Sequence, residues 1–122
     1  MKTLQKIVAA CVFTAATIAA PFVMAHAKLS TSNPTPGAVL ETAPAEITLT
    51  FNEKVEQAFS TVTLTYTDGK VIATDKAKVD VGNPKIVRLQ TKGLSTGTYT
   101  VKWAVAGNDG HRRTGTFSFS VK

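Results

Sequence analysis

The sequence predicts an all-β protein, a small immunoglobulin-like antiparallel β-sandwich or Greek-key barrel of about seven strands. From residue 27 onward, apolar residues recur at every second position in short runs, and helical periodicity is absent. Turn-forming clusters punctuate those runs: Asn33-Pro34-Thr35-Pro36-Gly37, Asp68-Gly69 and Gly82-Asn83-Pro84. Short strands at this spacing, with no linker, internal repeat or low-complexity stretch, are the pattern of one small sandwich domain.

The elements follow in order. Ala27 to Ser32 forms a first extended piece, ended by two prolines that cannot donate to a ladder. Ile47, Leu49 and Phe51 alternate with threonines, giving a strand with one buried face. Val62, Leu64 and Tyr66 repeat the pattern, and Asp68-Gly69 turns the chain into Val71 to Thr74. A weaker strand covers Lys76 to Val81, and Ile86 to Gln90 follows the next turn. Tyr99, Val101, Trp103 and Val105 make the longest alternating run, and Phe117, Phe119 and Val121 close the chain. By their phase, Tyr99, Trp103, Phe117 and Phe119 belong to the core; Trp103 is its large filler, not a substrate platform. The segment from Asn52 to Ser60 is the least regular, with room for a helical turn.

Residues 1–25 have the pattern of a cleaved secretory signal peptide, leaving 26–122 as the domain. Lys2 and Lys6 precede an apolar run from Ile7 to Ala20, and Val23-Met24-Ala25 offers signal peptidase acceptable residues three and one before the cut. That run is too short for a spanning helix, which needs roughly 20 residues, and nothing later approaches such a length. Val8-Ala9-Ala10-Cys11 loosely resembles a lipid-attachment site, but the apolar stretch ahead of it is too short to engage the export machinery. Cutting after Ala25 makes His26 the first residue. Cutting after Ala27 also satisfies the processing rule and would instead start the chain at Lys28.

Without its leader the chain keeps 12 Lys and Arg against 8 Asp and Glu, a net charge of +4. The lysines are scattered and only Arg112-Arg113 adjoin, so the concentrated basic patch of a nucleic-acid binder is missing. Cys11, Met1 and Met24 all lie in the leader, so residues 26–122 hold neither thiol nor thioether. A metal site there must use nitrogen and oxygen, which disfavours Cu(I) and suits Cu(II), Zn or Ni.

Two histidines remain. Cleavage after Ala25 frees an α-amine on His26, and that amine and the ring Nδ1 can close one chelate ring on a single ion. The second, His111, lies in Asn108-Asp109-Gly110-His111, between the Trp103 and Phe117 strands. Asp109 and His111 are two apart, so in an extended segment they share a side. His26, Asp109 and His111 together offer three nitrogens and a carboxylate oxygen, a set matching the tetragonal preference of Cu(II). They can meet only if the first strand and the loop after Val105 reach the same end of the sandwich.

An ordered series of short motifs runs along nearly the whole of residues 26–122. It comprises His26-Ala27-Lys28-Leu29, Ser32-Asn33-Pro34 with Gly37, Leu49-Thr50-Phe51-Asn52-Glu53, and Phe59-Ser60. It continues with Leu94, Gly97-Thr98-Tyr99-Thr100-Val101-Lys102-Trp103, Asp109-Gly110-His111, and Gly115 with Phe117-Ser118-Phe119-Ser120-Val121. In this series the chain resembles the CopC-type copper-resistance domain, a periplasmic copper-binding β-sandwich. The resemblance favours the cut after Ala25. It implies one Cu(II) ion braced by the amine and ring of His26 and by His111, with Asp109 at or near the metal and Glu53 as an outer candidate. It also implies a periplasmic location and, as a candidate partner, an inner-membrane copper transporter of the CopD type. Some relatives carry a methionine-rich loop for Cu(I), but Thr67 to Pro84 holds no methionine or histidine, leaving a Cu(II)-only reading. Some carry a histidine two after the first, which here is Lys28.

The expected function is thus Cu(II) sequestration or delivery without catalysis. The enzymatic alternative is a copper oxidase or monooxygenase using the same brace, against which stands the lack of a spare aromatic row for docking a polymer. A third reading is an immunoglobulin-like interaction module that binds no metal.

Overall fold

The computed structural model describes residues 27–122; the leader expected at 1–25 and His26 lie outside the described residues. Among the described residues nine strands form two sheets. They are β1 (Leu29–Asn33), β2 (Val39–Leu40), β3 (Glu46–Phe51), β4 (Thr61–Tyr66), β5 (Val71–Ile72), β6 (Lys78–Val79), β7 (Ile86–Gln90), β8 (Gly97–Ala106) and β9 (Arg112–Val121). One sheet has the order β1-β3-β7-β6 and the other β2-β9-β8-β4-β5. This is the predicted sandwich, with differences in detail: the strands expected over Val71 to Thr74 and Lys76 to Val81 are two residues each. The two-residue β2 escapes prediction because so short a piece shows no alternation, and its pairing with β9 is parallel. β9 begins five residues before Phe117, through polar residues that carry no apolar rhythm. The irregular stretch after β3 does contain a helical turn, a 3₁₀ turn at Gln57–Phe59.

Alternation becomes burial as the sheets close on each other. Ile47, Leu49 and Phe51 of β3 face Val62 and Leu64 of β4 and Tyr99, Val101, Trp103 and Val105 of β8, all buried. Tyr99 and Phe119 stack at 5.5 Å, and Tyr66 meets Tyr99 edge-on at 5.2 Å. Phe117 is half-buried against this core. The Tyr99 hydroxyl donates to the Ser95 carbonyl at 2.7 Å, a tyrosine corner of the kind that fixes strand entry in immunoglobulin-like sandwiches. Threonines and serines occupy the outer face of the five-stranded sheet, where Thr98 meets Ser120 and Thr100 meets Ser118 at 3.0 and 3.2 Å.

Phe51 and Trp103 join the sheets at one end, ring centroids 5.1 Å apart in an edge contact. Trp103 lies opposite Gly115 in the β8–β9 ladder, and a Cβ at Gly115 would overlap the indole. The missing side chain is what lets the indole approach the β9 backbone this closely. Because Leu29 pairs with Phe51, the chain enters the sandwich at this same end, with Ala27 buried at 2% exposure.

The other sheet is clipped on its outer face by Glu46. Its carboxylate accepts from Arg88 Nη1 at 3.0 Å, from Thr48 Oγ1 at 3.2 Å and from Gln90 Nε2. Partial withdrawal from water works to raise this carboxyl's pKa, but the bonds from Gln90, Arg88 and Thr48, with the Arg88 charge, outweigh it and hold it below its ordinary value. A depressed native pKa stabilises the fold above the unfolded-state carboxylate range, and that gain is lost as pH falls through the native value. Replacing Glu46→Gln should therefore cost up to about 1 kcal/mol near neutral pH, the scale for exposed pairs. The gap to the parent should close on acidification, as chemical denaturation across pH will show.

Candidate metal centre

Asp109 and His111 sit on the loop joining β8 to β9. The turn is set by the Gly110 N–H donating to the Gly107 carbonyl at 3.1 Å and by Gly110 at φ +78°, a left-handed value that costs glycine little. Asp109 Oδ1 accepts the His111 N–H at 3.0 Å, and Oδ2 lies 3.8 Å from His111 Nδ1. The carboxylate thus locks the loop backbone and faces one ring nitrogen, with Nε2 on the opposite edge of the ring. A carboxylate behind an imidazole is how many metal-binding histidines are oriented. The His111 side chain is 66% exposed, so the ring can be reached from solvent.

The segment that enters the sandwich lies at the same end. The Lys28 N–H donates to Asn52 Oδ1 at 2.6 Å, and the Asn52 N–H donates to the Lys28 carbonyl at 2.9 Å. Just beyond, the Glu56 N–H donates to the Ala106 carbonyl at 2.9 Å, tying the stretch after β3 to the end of β8. Two clefts flank the junction. A cleft of about 560 Å³ is lined by Ala27, Lys28, Leu29, Asn52, Trp103, Arg113 and Thr114. A second, of about 410 Å³, is lined by Asn52, Glu53, Lys54, Glu56, Lys85, Asn108 and Asp109. Asn52 borders both. The condition set by the sequence, that the first strand and the loop after Val105 reach one end, is met by Ala27–Leu29 and the β8–β9 loop.

Asp109 and His111 are therefore brought together, and half-buried Glu53 shares a cleft with Asp109. Among the described residues no group of three His, Cys, Asp or Glu side chains is placed to hold a metal ion. The pair on the loop supplies imidazole nitrogen and carboxylate oxygen, donors suited to a divalent first-row metal. His26, the remaining residue expected at the site, lies outside the described residues, one position before buried Ala27. Sequence reasoning did not find Asn52: an asparagine at a strand end is ordinary, and only the pairing of β1 with β3 gives it a partner.

The family model for the CopC domain matches residues 29–122. The chain belongs to the CopC domain family. It is 42% identical over 104 residues to Protein YobA of Escherichia coli (strain K12), covering 84% of this chain and 83% of that protein. It is 37% identical over 130 residues to Copper resistance protein C of Xanthomonas campestris pv. juglandis, covering the whole of both. Among solved structures, PcoC, a methionine rich copper resistance protein from Escherichia coli, superposes with a TM-score of 0.73 at 32% identity, over 80% of this chain and all of that one. The CopC sandwich is thus the fold seen here, while residues 27–122 of this chain hold no methionine.

The loop geometry can be tested by itself. Among the described residues no atom crowds a Cβ at Gly110, so Gly110→Ala should cost only backbone strain, about 1 kcal/mol. Thermal melting should fall by roughly 4–8 °C, and Gly110→Asn, which tolerates left-handed φ, should recover much of the loss.

Proposed function

We propose that the chain is exported, cut after Ala25, and then binds one Cu(II) ion through the α-amine and ring of His26 together with His111, with Asp109 at or beside the metal. The reading makes it a periplasmic copper-binding protein of copper resistance, which sequesters the ion or passes it on without catalysis. A copper transporter of the CopD type in the inner membrane is the candidate partner. The observation that carries this reading is that Ala27–Leu29 and the loop bearing Asp109 and His111 lie at one end of the sandwich, in neighbouring clefts that share Asn52. Copper-resistance relatives that match along the chain's length support the choice of copper. A donor set without sulfur supports Cu(II) over Cu(I).

Copper is cargo on this account, and the exposure of His111 suits an ion that must be loaded and released. Amine and imidazole must be deprotonated to bind, so protons compete with the metal and affinity falls as pH drops. Titration of the processed protein should give a nitrogen-rich Cu(II) spectrum that acid abolishes and neutralisation restores. His26→Ala and His111→Ala should each weaken binding at least about 100-fold, more than the loss of an outer partner. Near-parental affinity in either variant would sink the assignment.

A further inference from the structure

We propose that Asn52 is a positioning residue for the copper site, holding the start of the chain where its amine and ring can reach the loop. The inference rests on the brace proposed above and adds a residue to it. Beyond Phe51, the last residue of β3, the β1–β3 pairing continues for one more step through two bonds. One is an ordinary backbone bond from the Asn52 N–H to the Lys28 carbonyl, at 2.9 Å. The other uses the side chain: Asn52 Oδ1 accepts the Lys28 N–H at 2.6 Å. Both polar groups of Lys28's backbone are thereby committed to one residue, which fixes the peptide joining Ala27 to Lys28. Ala27 is itself buried, at 2% exposure, so the chain is held immediately after His26 by a packed methyl and a two-point clamp.

Asn52 also borders the cleft that contains Asp109, so the residue holding the chain start stands beside the loop that carries the other donors. A chelating terminus has to be held still to bind tightly, because a frayed one loses conformational freedom when the ion arrives. A clamp formed before the metal arrives removes that cost. The lysine side chain plays no part in it, since only the Lys28 backbone is engaged.

The test uses the processed protein and compares Asn52→Ala with Asn52→Asp, which keeps an oxygen able to accept the Lys28 N–H. Cu(II) affinity is measured by competition with a chelator, and exchange of the Lys28 amide is followed in the metal-free protein. Asn52→Ala should speed exchange at Lys28 and weaken Cu(II) binding about tenfold, within the range for outer partners of metal ligands. Asn52→Asp should restore slow exchange and bring affinity to within about threefold of the parent. If Asn52→Ala does not fold, Asn52→Ser, whose hydroxyl is too short to reach, takes its place with the same expectations. Parental affinity in the alanine or serine variant, or an aspartate variant as weak as alanine with slow exchange restored, overturns the inference. His26→Ala and His111→Ala in the same assay separate the two claims. If those variants lose copper while Asn52→Ala keeps it, the clamp fails and the brace stands; if they too bind as the parent does, the brace itself has failed.

Discussion

The edge contact between Phe51 and Trp103 is the constraint on which one whole end of this sandwich depends. Phe51 closes β3 and pairs with Leu29, so its position sets where the chain enters. Trp103 lies on β8 three residues before the strand ends, so its position sets where the β8–β9 loop leaves. Locking the two rings at 5.1 Å therefore fixes an entry point and an exit point relative to each other. Each ring removes a large apolar area from water, and truncating such a side chain costs about 3–5 kcal/mol. Gly115 completes the arrangement by leaving the indole room on β9.

Around that contact, polar groups are arranged locally and economically. Asp109 caps its own loop, Asn52 completes the β1–β3 ladder, and the Glu56 N–H bonds to the end of β8. None of these needs a disulfide or a methionine, and residues 27–122 contain neither cysteine nor methionine. The scaffold owes its order to core packing and ladder bonds. On the proposed reading, copper is then bound by a frame already set and can leave without unfolding it.

Much of this was legible in the sequence because alternation maps directly onto burial. Ile47, Leu49 and Phe51, and Tyr99, Val101, Trp103 and Val105, announced both their strands and their buried face. Val39–Leu40 and Arg112 to Thr116 did not, the first being too short to alternate and the second polar along its length. Asp109 and His111 could be singled out by chemistry and spacing, but their approach to the chain start depends on β1 pairing with β3 and on the contact between sheets. Those are relations between residues far apart in sequence, and no local pattern encodes them. Asn52 was invisible for the same reason: its role exists only where Lys28 lies beside it.

The central claim is that the site comes into being when the chain is cut, because an amine on His26 becomes a ligand. Cu(II) affinity should therefore be compared between the chain beginning at His26 and the same chain carrying Ala25 as one extra residue. The account predicts that the added residue, by turning the His26 nitrogen into an amide, lowers affinity at least about 100-fold and removes the amine from the Cu(II) spectrum. Equal affinity and an unchanged spectrum in the two proteins would contradict it.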